Sequence, residues 1–195
     1  MKTTFLLPAL FMLITFISCK SDNDIPVTRV PDHLRAMVPY QNGQTIKYSL
    51  EGAAPLVAQV AVTTEVNSIS PCQGCEATQK IEVLRFDFTI NGRPFINGSV
   101  DNRPVVFLSI FSPQDNFQTG GGFDFLTPES GSQFLCNGPR QTCLPSIVLA
   151  GRTFTNVLEI SNGNDPDKLT RAYYTLDKGL VGFAYGDGTA FSRVE

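Results

Sequence analysis

The chain has 195 residues, a formal net charge of −3, 17% charged residues and 42% hydrophobic ones. That balance leaves no basic footprint for nucleic acid, no polybasic handle for anionic lipid and too little charge for a long solvated helix, and it is too apolar for disorder. A single histidine, His33, removes the nucleophile–base pairs and the His-rich metal centres on which much hydrolytic chemistry relies.

The chain opens with Met1-Lys2-Thr3-Thr4 and continues into an apolar run, Phe5 to Ile17. A spanning helix needs about 20 apolar residues, so this run has the length of a signal-peptide core. It ends in Phe16-Ile17-Ser18-Cys19. A small residue directly before such a Cys resembles the lipobox of bacterial lipoproteins, with Phe16 where that family usually has Leu. The resemblance implies that residues 1–18 are a signal peptide. Cys19 then becomes an acylated N-terminus and the membrane a partner through its lipid, palmitate included. Two or three acyl chains anchor stably where one binds only reversibly. Asp22 and Asp24 follow closely. This short acidic tract resembles the export signal of Bacteroidota surface lipoproteins, implying an outer-membrane address at the cell surface; the periplasmic face is the alternative.

Residues 19–39 carry Pro26, Pro31 and Pro39 among polar residues, the composition of an extended tether that contains His33. At about 3.1 Å per residue it would reach roughly 60 Å. From residue 40 to residue 195 the pattern is strand and turn. After Asn42-Gly43, Ile46 to Glu51 alternates at period two, and Leu56 to Val66 is rich in Val and Thr. Leu84, Phe86, Phe88 and Ile90 share one face while Arg85, Asp87 and Thr89 point the other way, the pattern of an antiparallel strand with one wet face. Asn91-Gly92 then turns the chain. Val105 to Phe111 is continuously apolar and reads as covered on both faces, whereas Gln118 to Phe125, with three successive glycines, reads as a mobile loop. Phe154 to Ile160, Leu169 to Leu176, Leu180 to Tyr185 and Thr189 to Val194 are further strands. Asp187-Gly188 has the chemistry of a type I′ hairpin turn. Outside the signal segment no run of twelve residues keeps apolar positions at i, i+3, i+4 and i+7. The expectation is one all-β domain of eight to ten strands, an antiparallel sandwich or partly open barrel with little or no helix.

In an exported chain, Cys72, Cys75, Cys136 and Cys143 read as two disulfides. Local pairing, 72–75 and 136–143, is favoured, with crossed pairing as the alternative. Cys72-Gln73-Gly74-Cys75 also has redox spacing, but strand pattern rather than a helix follows it. Four-thiolate zinc would need a tighter second pair than Cys136-x6-Cys143.

Two segments carry a wider resemblance. Val38-Pro39-Tyr40-Gln41-Asn42-Gly43-Gln44-Thr45-Ile46-Lys47-Tyr48 is similar to the opening of many small Bacteroidota lipoproteins. Ala172-Tyr173-Tyr174-Thr175-Leu176-Asp177-Lys178-Gly179-Leu180-Val181-Gly182-Phe183 is similar to their closing Tyr-rich strand, Lys-Gly turn and final hairpin. The resemblance implies an anchored β-protein of the envelope and brings no catalytic residues with it.

The remaining chemistry is sparse. Asn162, Asn164, Asp165 and Asp167 crowd enough oxygen into one loop to suggest Ca²⁺, although they lack the closing bidentate Glu of an EF-hand; otherwise no cofactor is expected. Glu82, Asp87, Asp124 and Glu159 are the carboxylates available to a glycosidase. Tyr173, Tyr174 and Tyr185 are the rings that would stack on sugar in a chain without Trp. Twelve of the fifteen Phe follow Cys19, either as core or as the lining of an apolar pocket. The preferred function is therefore a lipid-anchored, non-catalytic envelope domain that binds a ligand or a protein partner. The alternatives are a carrier of a small apolar ligand, and a carbohydrate-active enzyme or glycan-binding module.

Overall fold

A computed structural model describes residues 25–50, 53–118, 120–127, 133–134 and 136–194; the leader and Cys19 lie outside the described residues. The chain enters through a two-residue strand, β1 (Val27–Thr28), and one helical turn, α1 (Asp32–Arg35). It then meanders antiparallel through β2 (Thr45–Ser49), β3 (Leu56–Ile69), β4 (Gln79–Ile90), β5 (Arg93–Val100), β6 (Val105–Phe111) and β7 (Gly120–Leu126). A second meander runs through β8 (Gln141–Leu149), β9 (Arg152–Ser161), β10 (Leu169–Thr175), β11 (Gly179–Tyr185) and β12 (Ala190–Arg193). Pairing of β12 with β2 joins the two into one sheet ordered β7-β6-β5-β4-β3-β2-β12-β11-β10-β9-β8. The sheet curls until it is nearly closed and barrel-like, so the all-β expectation holds. Across the seam the Asn162 side-chain amide donates to the Gly122 carbonyl at 2.8 Å.

Alternation decides what lies inside. Leu84, Phe86, Phe88 and Ile90 of β4 are buried, as are Val106, Leu108 and Ile110 of β6. β6 is one-sided rather than covered on both faces, because Phe107 is exposed on its outer side beneath the Arg103 guanidinium, 5.3 Å from the ring centre. Asn91 and Gly92 both take positive φ between the paired Ile90 and Arg93, the type I′ geometry that an Asn-Gly pair favours. At the last hairpin only Gly188 does so. There the Asp187 carboxylate accepts the Thr189 N–H instead, which rules out a type I′ turn. The glycine run read as a loop is strand β7. A side chain at Gly120 would strike the Ile110 carbonyl of neighbouring β6 and one at Gly121 the Leu169 carbonyl across the seam, so the glycines mark close approach.

The tether expectation also changes. The folded body begins at β1, which pairs in parallel with Lys80 and Ile81 of β4, and not at residue 40. Val30, Leu34, Met37 and Val38 are buried in the same core as the barrel interior. Their apolar surface outweighs the freedom that an extended linker would keep. Pro31 stands at the N-cap of α1, and His33 lies exposed on that turn. The Glu82 carboxylate secures the segment by accepting the Val30 N–H at 2.9 Å and pairing with Arg35. These partners, the Val30 N–H foremost, hold its pKa below the usual carboxylate value.

Three phenols complete the attachment. Tyr40 packs on Phe86 and Phe88 with ring centres 5.1 and 4.9 Å away, and its hydroxyl accepts the Leu180 N–H at 2.7 Å. Tyr48 donates to the Leu180 carbonyl at 2.9 Å, and Tyr174 donates to the Met37 carbonyl. Gly179, at φ +73°, makes room, since any Cβ there would overlap the Tyr40 hydroxyl. Gly179→Ala should therefore destabilise the protein by about 2–4 kcal/mol, combining left-handed strain with overpacking. Gly188→Ala, at φ +92° in open space, should cost only about 1–2 kcal/mol. Urea denaturation checks both values. In a double-mutant cycle, Tyr40→Phe should remove part of the Gly179→Ala penalty, whereas strict additivity would break the assignment.

Candidate functional site

The rings that would line a carrier pocket are largely used up in packing on one another. Phe95 lies 5.6 Å from Tyr48 and 5.5 Å from Phe183, Phe183 stacks on Phe191 at 4.9 Å, and Phe125 lies 5.0 Å from Tyr174. The tyrosines considered for sugar stacking are likewise enclosed: Tyr174 is 0% exposed, Tyr173 3% and Tyr185 7%. Burial raises the pKa of all three, and the Glu159 charge adds to the effect at Tyr173. None offers a ring face to solvent.

The carboxylates do not form a pair. Glu82 belongs to the N-terminal attachment, and Asp87 accepts from the Asn97 amide on the outer face. Asp124 lies on β7 and Glu159 on β9, each on the outward side of its own strand. The loop offered for Ca²⁺ spends its oxygens internally. Asn162 accepts from Arg140, Asp165 pairs with Lys168 at 2.9 Å and accepts the Asp167 N–H at 3.1 Å, and Asn164 and Asp167 are exposed. Among the described residues no group of three His, Cys, Asp or Glu gathers to hold a metal. Cys72 is paired with Cys75 at the tip of the β3–β4 hairpin, and Cys136 with Cys143 beside β8. Each pair closes its own loop, as the favoured local connectivity has it.

A concave surface arises where the second meander departs from the barrel. Residues Leu158–Ser161 of β9 pair with β10, but the hairpin turns away at Asn156, which has φ +52° and stands opposite Pro145, the one unpaired place in the β8–β9 ladder. Proline has no N–H to donate, and Asn tolerates left-handed backbone, so the two residues together make a hinge. Beyond it the hairpin folds over the outer face of β10, β11 and β12. Leu149, Phe154 and Val157 there bury Tyr173, Val181 and Ala184 in a second, smaller core. Gly182 permits the approach, because a Cβ there would meet the Leu149 side chain. This covering explains why every residue of β11 is buried.

Between the base of this flap, the Cys136–Cys143 loop and the β10–β11 turn lies a cleft of about 580 Å³. Gln133, Thr155, Asn156 and Asp177 give it hydrogen-bonding groups; Phe134, Leu144 and Val157 give it apolar surface. Its lining thus sets one carboxylate, Asp177, among amide, hydroxyl and apolar groups. No sequence reading singled out these residues. The available signal was Pro145 inside an otherwise extended run, which demotes a strand to an edge or marks a bend. A shallower depression of about 210 Å³, lined in part by Arg85, Asp87, Asn97 and Phe107, lies on the outer face of β4–β6. Comparison with protein-family models, curated proteins and solved structures finds no match for this chain.

The flap rests on few apolar contacts, so Leu149→Ala should open it locally. Truncation of a buried Leu costs about 2–4 kcal/mol, and most of that loss should fall on the hairpin. Hydrogen exchange should quicken in β8 and the first half of β9 while β4 and β5 keep their protection. Uniform loss across the sheet would show that the flap is not a separate unit.

Proposed function

We propose that this chain is a lipid-anchored, non-catalytic domain of the bacterial cell envelope, tied to the outer membrane by acylated Cys19, that binds an envelope ligand or protein partner. The observation that carries the binding half is the flap cleft, which is concave, partly apolar and edged by amide, hydroxyl and carboxylate groups. A hinge and a disulfide build it, and it lies outside the main core. The packed aromatic interior favours this surface over an internal carrier pocket. The enclosed tyrosines and dispersed carboxylates weigh against glycan stacking and glycoside hydrolysis.

The anchoring half rests on the apolar leader, Ser18-Cys19 and the paired cysteines of an oxidising compartment. Cys19→Ala should release the protein from membranes into the soluble fraction of its native host, at undiminished stability, since residue 19 lies eight positions before the first folded strand. Retention in the membrane fraction would contradict the anchor. Intact mass spectrometry of the membrane-extracted wild type should show the acyl mass on a chain beginning at Cys19, together with any molecule that co-purifies in the cleft.

A further inference from the structure

From the direction of β1 and the shape of the β3–β4 hairpin, we infer that this hairpin is the membrane-proximal face of the molecule, set against the lipid surface, and that the opposite end of the barrel faces outward. The inference rests on the anchoring of Cys19 proposed above. β2 covers β3 only as far as Gln59, and β5 covers β4 only from Leu84 onward. Beyond Val62 and Leu84 the two strands therefore continue as an arm, with the N-terminal segment beside β4 alone: β1 at Lys80 and Ile81, then Val30 and Arg35 at Glu82. Thr63 to Ile69 spans about 20 Å at 3.4 Å per residue and is exposed throughout. The Cys72–Cys75 disulfide closes its tip.

β1 runs parallel to β4, and β4 begins at the tip of the arm. The chain before Val27 thus arrives from the tip side. Val27 lies eight positions after Cys19, a reach of at most about 28 Å even fully extended. Ile90, at the far end of β4, lies ten residues beyond Lys80, about 34 Å farther from the point of entry. A bilayer holding the lipid on Cys19 therefore lies on the arm side of the body.

The surface of the arm suits that neighbour. Val27, Val66 and Ile69 are 40%, 52% and 40% exposed, three of the seven large exposed hydrophobics among the described residues. Val66 and Ile69 stand on opposite faces of the hairpin, so the arm presents an aliphatic side chain on each, and Glu65 is paired with Arg85 at 2.8 Å. The outward end consists of the Asn91-Gly92 turn, the 162–168 loop and the Asp187-Gly188 turn.

The test uses the full acylated protein in phosphatidylcholine nanodiscs containing a headgroup-nitroxide lipid, with amide signals read by NMR. Signals from residues 66–78 should be lost to paramagnetic broadening, while those of residues 162–168 and 187–188 survive. Mass spectrometry of the same sample separates the two ways of failing. An acylated protein whose arm amides are spared, or no more affected than the outward loops, overturns the orientation alone. A chain without acyl mass on Cys19 overturns the anchoring and the orientation with it.

Discussion

The backbone of Leu180 is gripped from both sides by phenols from the other end of the chain. Tyr40 accepts its N–H, Tyr48 donates to its carbonyl, and Tyr174 reaches from the neighbouring strand to the carbonyl of Met37. In an apolar interior an unpaired donor or acceptor is expensive, so each of these bonds is costly to leave unmade. Together they fix the one junction the meanders do not make by themselves, where β12 meets β2 and the two become one sheet. Residues 38–48 and 172–183 supply the two halves of this junction, in which Tyr40 needs space and Gly179 leaves it.

The same junction explains why the N-terminal segment is part of the body. Tyr40 and Tyr174 hold it from one side and Glu82 from the other, with Leu34 and Met37 closing off the core between them. Residues 30–38 are therefore part of the packed body rather than an extended linker. The β8–β9 flap hairpin is attached differently, through small residues and a modest second core, and the cleft lies at its base. The N-terminal segment is thus built into the main core, whereas the flap rests on a smaller one and is the more easily opened of the two.

Most of the sheet was legible because most strands have one wet face. β4 spells its burial out in alternation, and Asn91-Gly92 specifies its turn. Three features were hidden for physical reasons. The glycines of β7 imitate a loop, since sequence cannot show that a neighbouring carbonyl occupies the space where a Cβ would be. Val30, Leu34, Met37 and Val38 repeat at helical spacing, but three prolines mask a helix only one turn long. Apolar continuity misled at Val105 to Phe111, which leaves Phe107 outside, and was meaningful at Leu180 to Tyr185, where Gly182 and Ala184 are small enough to admit a second layer. The cleft was the least visible, because it depends on where a hairpin bends and not on any residue with distinctive chemistry.

All five tyrosines are buried, and burial raises their pKa values, that of Tyr40 to about 12 from an ordinary 10.0. A phenol whose pKa is raised by folding stabilises the native state fully below pH 10, and that contribution is lost as pH climbs toward the folded value. Because the chain has no Trp, absorbance near 295 nm reports phenolate alone. An alkaline titration followed at once by that absorbance and by far-ultraviolet circular dichroism tests the tyrosine junction most directly. The account predicts that phenolate stays suppressed past pH 10 and appears together with collapse of the sheet signal; phenolates forming near pH 10 in an intact sheet would contradict it.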